Sequence, residues 1–95
     1  MLVREDLKPG QPAVQAAHAA IEVARAFILP DAVHPHLVIC GVPDEIDLLL
    51  QQSRLHEAGI RFKPFYDYGE CTAIATEPLY DSNRRLFKAC RLLGT

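Results

Sequence analysis

MLVREDLKPGQPAVQAAHAAIEVARAFI, residues 1–28, changes its hydrophobic period once, at Pro12, and that change decides the fold. Residues 1–4 are a short apolar run, which reads as a strand. Residues 5–11 are polar and punctuated by Pro9 and Gly10, which reads as a loop. From Pro12 onward Val14, Ala17, Ile21, Ala24 and Ile28 recur at three- and four-residue spacing, the mark of one face of a helix. Pro12 suits the first turn of that helix, because its missing N–H has no intrahelical partner there in any case. Pro30 then disfavours helical geometry at Leu29, so the segment to Pro35 reads as a connection.

The rest of the chain repeats the alternation. Residues 36–40 are apolar and β-branched without helical spacing and run out into Gly41, as an interior strand does. Pro43 and Asp44 open a second helix, with Ile46, Leu49, Leu50 and Leu55 as its expected buried side and Gly59 as its stop. Residues 61–66 form a third strand, where Pro64 requires an edge position or a bulge because it cannot donate to a ladder. Tyr68, Gly69 and Glu70 make a turn, and residues 71–76 return as a fourth strand. Asp81 or Ser82 caps a last helix with Leu86, Phe87, Cys90 and Leu93 on its apolar side, closing at Gly94. The expected order is strand, helix, strand, helix, strand, strand, helix. It implies an α/β fold: a three-layer α/β/α sandwich around a small four-stranded mixed sheet.

With 95 residues the chain is expected to be one domain, 1–95, since two halves would each be too small to bury a core. No apolar run approaches the roughly 20 residues needed to cross a bilayer. Arg4, Glu5, Asp6 and Lys8 interrupt the place where a signal peptide would be apolar, so a cytoplasmic location is expected. Cys40, Cys71 and Cys90 are odd in number and lack the paired spacing of a zinc or redox motif, which makes them reduced core residues and gives no metal site. The formal net charge of −2 excludes general affinity for nucleic acid, so any RNA contact must come from a local patch.

A family resemblance rests on Val3, Arg4, Asp6, Leu7, Lys8 and Gly10, followed by Gln15, Ala16, Ala17, His18, Ala19 and Ala20. This pattern resembles the amino-terminal signature of the second, dimeric type of peptidyl-tRNA hydrolase. Asp67 followed by Gly69 resembles that family's Asp-Ala-Gly segment, and Thr72, Ala73, Ile74, Ala75, Thr76, Glu77 and Pro78 resemble its closing strand. The resemblance implies metal-free hydrolysis of the ester joining a peptide to tRNA, with no cofactor, by a homodimer. It also implies a site at one end of the sheet containing His18, Asp67 and Thr72. The family usually carries two further residues in a Gly-Lys-Gly-Lys loop, where this chain has only Lys8, Pro9, Gly10, Gln11 and Pro12. Lys8 is therefore the neighbouring candidate for the functional lysine. The stretch between Asp67 and Thr72 is also shorter than in the family.

Such an ester needs an activated water and donors for the developing oxyanion. His18 and Asp67 are the candidate general-base pair, with Lys8 and Thr72 as donors. The alternatives are a half-buried histidine on a backbone carbonyl, a turn aspartate bonded to its own backbone, and an ordinary strand threonine. Arg4 and Gln15 of the signature are candidate substrate contacts. Tyr66 and Tyr68 flank Asp67 and could stack on a base or pack at a dimer surface. Arg84, Lys88 and Arg91, with Arg85 adjacent, form a basic stripe along the expected last helix. It suits tRNA phosphates, or is simply a solvated face favourable to the helix dipole. His34, His36 and His56 have no convergent ligand spacing. The runner-up function is a non-catalytic binding or regulatory module on the same fold for RNA, a nucleotide or a protein. A third is hydrolysis of another small ester or amide.

Overall fold

The computed structural model describes residues 1–27 and 37–94. Its elements are β1 (Leu2–Arg4), α1 (Gln11–Phe27), β2 (Cys40–Val42), α2 (Glu45–Glu57), β3 (Phe62–Asp67), β4 (Glu70–Thr76), a single helical turn α3 (Asp81–Arg84) and a 3-10 turn (Arg85–Phe87). The four strands form one sheet in the order β2-β1-β4-β3. β1 and β2 are parallel, while β4 runs antiparallel to both β1 and β3, so the sheet is mixed as expected. β3 lies at an edge, the position that Pro64 calls for, and the register shifts between Phe65 and Tyr66, where β4 carries Thr72 as an extra residue.

The helices cover opposite faces. On one, Val3, Ala73 and Ala75 meet Ala16, Ala19 and Val23 of α1. On the other, Leu2, Val42, Cys71 and Ile74 meet Leu48 and Leu55 of α2, with Ile60 closing the cluster. The chain is therefore a three-layer α/β/α sandwich. Among the described residues no helix is long and apolar enough to cross a membrane.

Three expectations are corrected. First, the buried side of α1 is Gln15, Ala16, Ala19 and Val23, and Val14 and Ile21 are 43 % and 56 % exposed. Alanines on the helix facing alanines on β4 let the two backbones approach closely, which the larger Val14 and Ile21 would prevent. Ala17 and Ala24 are exposed with them, and Ile28 lies outside the described residues.

Second, α2 buries Leu48 and Leu55, leaving Ile46, Leu49 and Leu50 exposed. The inward side of this helix also carries Glu45 and Gln52, whose polar heads bond Cys71. A pattern built on apolar residues alone misplaces such a face. Asp44 does cap α2, accepting from the Asp47 N–H at 2.9 Å.

Third, the last helix is one turn rather than three. Beyond it the chain runs beside β2: the Gly41 N–H donates to the Arg91 carbonyl and the Leu93 N–H to that of Ile39, both at 2.9 Å. Cys40 and Leu92 form an antiparallel bridge. This segment satisfies the outer edge of β2, which an intact helix would leave bare. Arg84, Lys88 and Arg91 thus lie on three different local structures and make no continuous stripe. β2 itself is shorter than residues 36–40: of that stretch only Cys40 belongs to it, and His36, like His34, lies outside the described residues.

Glu5 fastens the edge segment. Its carboxylate accepts from Arg91 and from the Gly94 N–H, and its side chain lies over Gly41. A Cβ at Gly41 would come within 2.8 Å of Glu5 Cγ, and closer still to the carboxylate. Gly41→Ala should therefore displace the Glu5 side chain and destabilise the fold in urea titration by about 0.5–1.5 kcal/mol, the cost of the bonds to Arg91 and Gly94 that Glu5 gives up. The Leu93 amide should lose hydrogen-exchange protection at the same time. Unchanged stability and protection would show that Glu5 is not the fastening.

Candidate functional site

The carboxyl ends of β1 and β2, the amino ends of α1 and α2, and the β3–β4 turn all come to one end of the sheet, where α/β folds ordinarily bind ligands. Gln15 is its centre. This side chain is fully buried, yet every polar atom in it is used. Its Oε1 accepts the Thr72 hydroxyl at 2.7 Å, and its Nε2 donates to Asp67 Oδ2 at 3.2 Å and to Gln11 Oε1 at 3.4 Å. Thr72 Oγ1 also lies 3.3 Å from the Phe65 carbonyl. Residues 52 and 57 positions apart are thereby joined in one chain of hydrogen bonds.

Asp67 ends β3 and is held at both oxygens, since Oδ1 accepts from the Tyr68 N–H at 2.9 Å. Tyr68 has φ 56° and Gly69 φ 76°, so the two-residue loop between Asp67 and Glu70 has left-handed backbone at both positions. That geometry favours Asn-Gly and costs tyrosine about 1 kcal/mol or more. Two contacts offset it: the Asp67 bond, and the Tyr68 hydroxyl donating to Gln11 Oε1 at 3.2 Å. Tyr66 stands exposed one residue before Asp67.

His18, one turn beyond Gln15 on α1, is exposed and lies flat on Phe65, with ring centroids 4.7 Å apart and planes inclined by 4°. It makes no hydrogen bond to Asp67. The expected base pair thus flanks Gln15 on the same helix-to-sheet seam, its members each held by a different partner. Lys8 is exposed, with its carbonyl accepting from the Gln11 N–H at 3.0 Å to close the loop before α1.

Arg4 is not a surface contact. It is 6 % exposed, forks onto Asp6 at 2.8 and 2.9 Å, and donates to Glu70 at 3.3 Å and to the Cys71 carbonyl at 3.2 Å. The hydrogen-bonded Asp6 carboxylate holds the Arg4 guanidinium firmly protonated, and Arg4 in return holds Asp6 below the usual carboxylate range. From the α2 side, Glu45 accepts the Cys71 N–H at 2.7 Å and Gln52 donates to the Cys71 thiol at 3.3 Å.

Arg84 and Lys88 belong to the segment after β4, whose Leu86 and Phe87 pack on the α2 face. They follow the far end of β4 from Asp67 and Thr72. Two shallow hollows, lined by His56, Phe62 and residues around them, likewise include neither His18, Asp67 nor Thr72. Among the described residues no group of three His, Cys, Asp or Glu side chains is arranged to hold a metal ion.

Gln11, Glu45, Gln52 and Phe65 are parts of this site that the sequence reading passed over. A signal existed for one of them, because Gln11 and Gln15 share a helix face at four-residue spacing. A scan of known protein families and a search of curated proteins find no match to this chain.

Two predictions follow from these bonds. Gln15→Leu should cost about 1–3 kcal/mol by leaving the Thr72 hydroxyl and the Asp67 carboxylate short of partners. Adding Thr72→Val should then cost less than the sum of the single changes, as a double-mutant cycle would read. Additive effects would deny the link.

Asp6→Asn should lower the melting temperature at neutral pH. A carboxylate with a depressed folded-state value contributes stability above its unfolded value and loses it as pH falls through the folded one. The difference from the native protein should therefore vanish in strong acid, below the carboxylate range. A difference independent of pH would point to packing instead.

Proposed function

We propose that the chain is a peptidyl-tRNA hydrolase-like protein acting on the ester between an acyl or peptidyl group and the acceptor end of tRNA. One observation carries this reading. Gln15, from the signature that resembles the family, binds both Asp67 and Thr72, the other two segments of the resemblance, at a single end of the sheet.

In hydrolysis, water adds to the ester carbonyl and the bond to the ribose oxygen breaks, giving a free carboxylate and a tRNA hydroxyl. His18 takes the proton from water and returns it to the leaving oxygen. Lys8, exposed at the mouth of the site, supplies positive charge to the oxyanion. Asp67 is a positioning group, held by Gln15 and the Tyr68 amide. Thr72 gives its proton to Gln15 in the unliganded protein and reaches substrate only if that bond is exchanged. Tyr66, and Tyr68 if it leaves Gln11, offer rings to the terminal base. Arg84 and Lys88 contribute at most distant phosphate contacts. The setting is a reducing cytoplasm, and the exposed Ile46, Leu49 and Leu50 support a homodimer.

A second reading, a non-catalytic binding module on the same fold, is favoured by His18 lying on Phe65 apart from Asp67. Incubation with diacetyl-lysyl-tRNA separates the two. The first predicts release of free tRNA, with His18→Ala slowing it by roughly a hundredfold or more. Intact substrate at high protein concentration overturns hydrolysis. A gel shift of tRNA that weakens steeply with salt would then support the binding module.

A further inference from the structure

The segment beside β2 brings two of the three cysteines together at the opposite edge of the sheet from β3. Cys40 opens β2 and is 4 % exposed, while Cys90, partly exposed, immediately precedes the residues that pair with that strand. Cys90 packs against the buried cluster that contains Cys40, so both side chains lie on the α2 side of the sheet. The backbone bonds Gly41 N–H to Arg91 and Leu93 N–H to Ile39 set Leu92 opposite Cys40, which places Cys90 two residues along the same strand face, diagonal to Cys40. The third cysteine is set apart: Cys71 is wholly buried under α2, where Gln52 donates to it.

We propose that Cys40 and Cys90 are a reversible redox pair, closed to a disulfide by hydrogen peroxide and reopened by thiols. Cys90 is the thiol that solvent reaches. Its sulfur attacks peroxide, giving a sulfenic acid and one water. The Cys40 sulfur then displaces the hydroxyl of that sulfenic acid as a second water, forming the S–S bond. Two thiols lose two electrons and two protons in total, and one peroxide is reduced to two waters. Burial, and secondarily the Cys90 thiol, push the Cys40 thiol up from its ordinary value, so the closing step quickens as pH rises through the thiol range. A transient disulfide of this kind suits a reducing compartment better than a permanent staple does.

The bond would span residues 40–90 and tie the edge segment to β2 covalently, where Glu5, Arg91 and backbone bonds now hold it. Oxidation therefore locks the edge that Glu5 otherwise fastens, next to the strand whose Arg4 enters the site.

The test uses the full chain, a slight excess of hydrogen peroxide, rapid alkylation, and peptide mapping without reductant. The expected result is loss of two hydrogens from the intact mass, a cross-linked peptide joining Cys40 to Cys90, and one alkylated thiol at Cys71, all reversed by dithiothreitol. Cys90→Ser should abolish the cross-link and Cys71→Ser should leave it; should either variant fail to fold, the native map alone decides. Exchange of the Gly41 and Leu93 amides should slow on the order of tenfold or more after oxidation. Three alkylatable thiols after treatment, a Cys90 that stops at sulfinic acid, or a disulfide between two molecules would each overturn the proposal.

Discussion

Cys71 and Thr72, just inside the exposed Glu70 that opens β4, are wholly buried, and the residues around them are arranged to satisfy their polar groups. At Cys71 and Thr72 the sheet carries an N–H, a carbonyl, a thiol and a hydroxyl in positions closed to water. Each unpaired group there would cost about 1–3 kcal/mol, a large part of the stability of so small a domain. Four residues on three elements supply the partners. Glu45 and Gln52 come from α2, Gln15 from α1 and Arg4 from β1, and among the described residues no buried side-chain nitrogen or oxygen is left unpaired. The helices are thus docked by polar registration as well as by their apolar contacts, which are modest alanine, valine and leucine surfaces.

The same requirement shapes the candidate site. Gln15 can serve Thr72 only if its amide nitrogen faces outward, and there it meets Asp67 and Gln11. Asp67 then holds the strained Tyr68 turn, and Tyr68 returns to Gln11. A structural need in the core is continuous with groups able to face a substrate. Electrostatics bears on the partner: Asp6, Glu45, Asp67 and Glu70 surround this end, with the Arg4 cation already engaged and Lys8 as the exposed cation of the preceding loop. Phosphate contacts are therefore few and local, and recognition there depends on the sugar, the ester and the base more than on charge.

The strand and helix order was legible because short apolar or β-branched runs and longer helically spaced runs are separated by Pro and Gly, and Pro64 announced the edge position of β3. The buried faces were not. On α1 the inward stripe consists of Gln15 and alanines, so Val14 and Ile21 outweighed it in any count of hydrophobicity. On α2 the inward Glu45 and Gln52 looked like surface residues. The last helix was overextended because Leu86, Phe87, Cys90 and Leu93 fit a helical spacing, whereas the bare edge of β2, which recruits residues 91–93, is a tertiary fact. At the site, residue types were legible and partners were not: His18, Asp67 and Thr72 lie along one seam, but Gln15 mediates between the last two, and Phe65 takes the first.

Hydrogen exchange at the Cys71 amide tests the central claim most directly. Cys71 lies two residues beyond Gly69 of the hairpin turn, where amides ordinarily exchange by fraying. If the buried polar knot organises the fold, this amide, which donates to Glu45, exchanges only through global unfolding, in step with Ile74 at the centre of the sheet. Exchange as fast as that of the Gly69 amide in the turn would contradict the account.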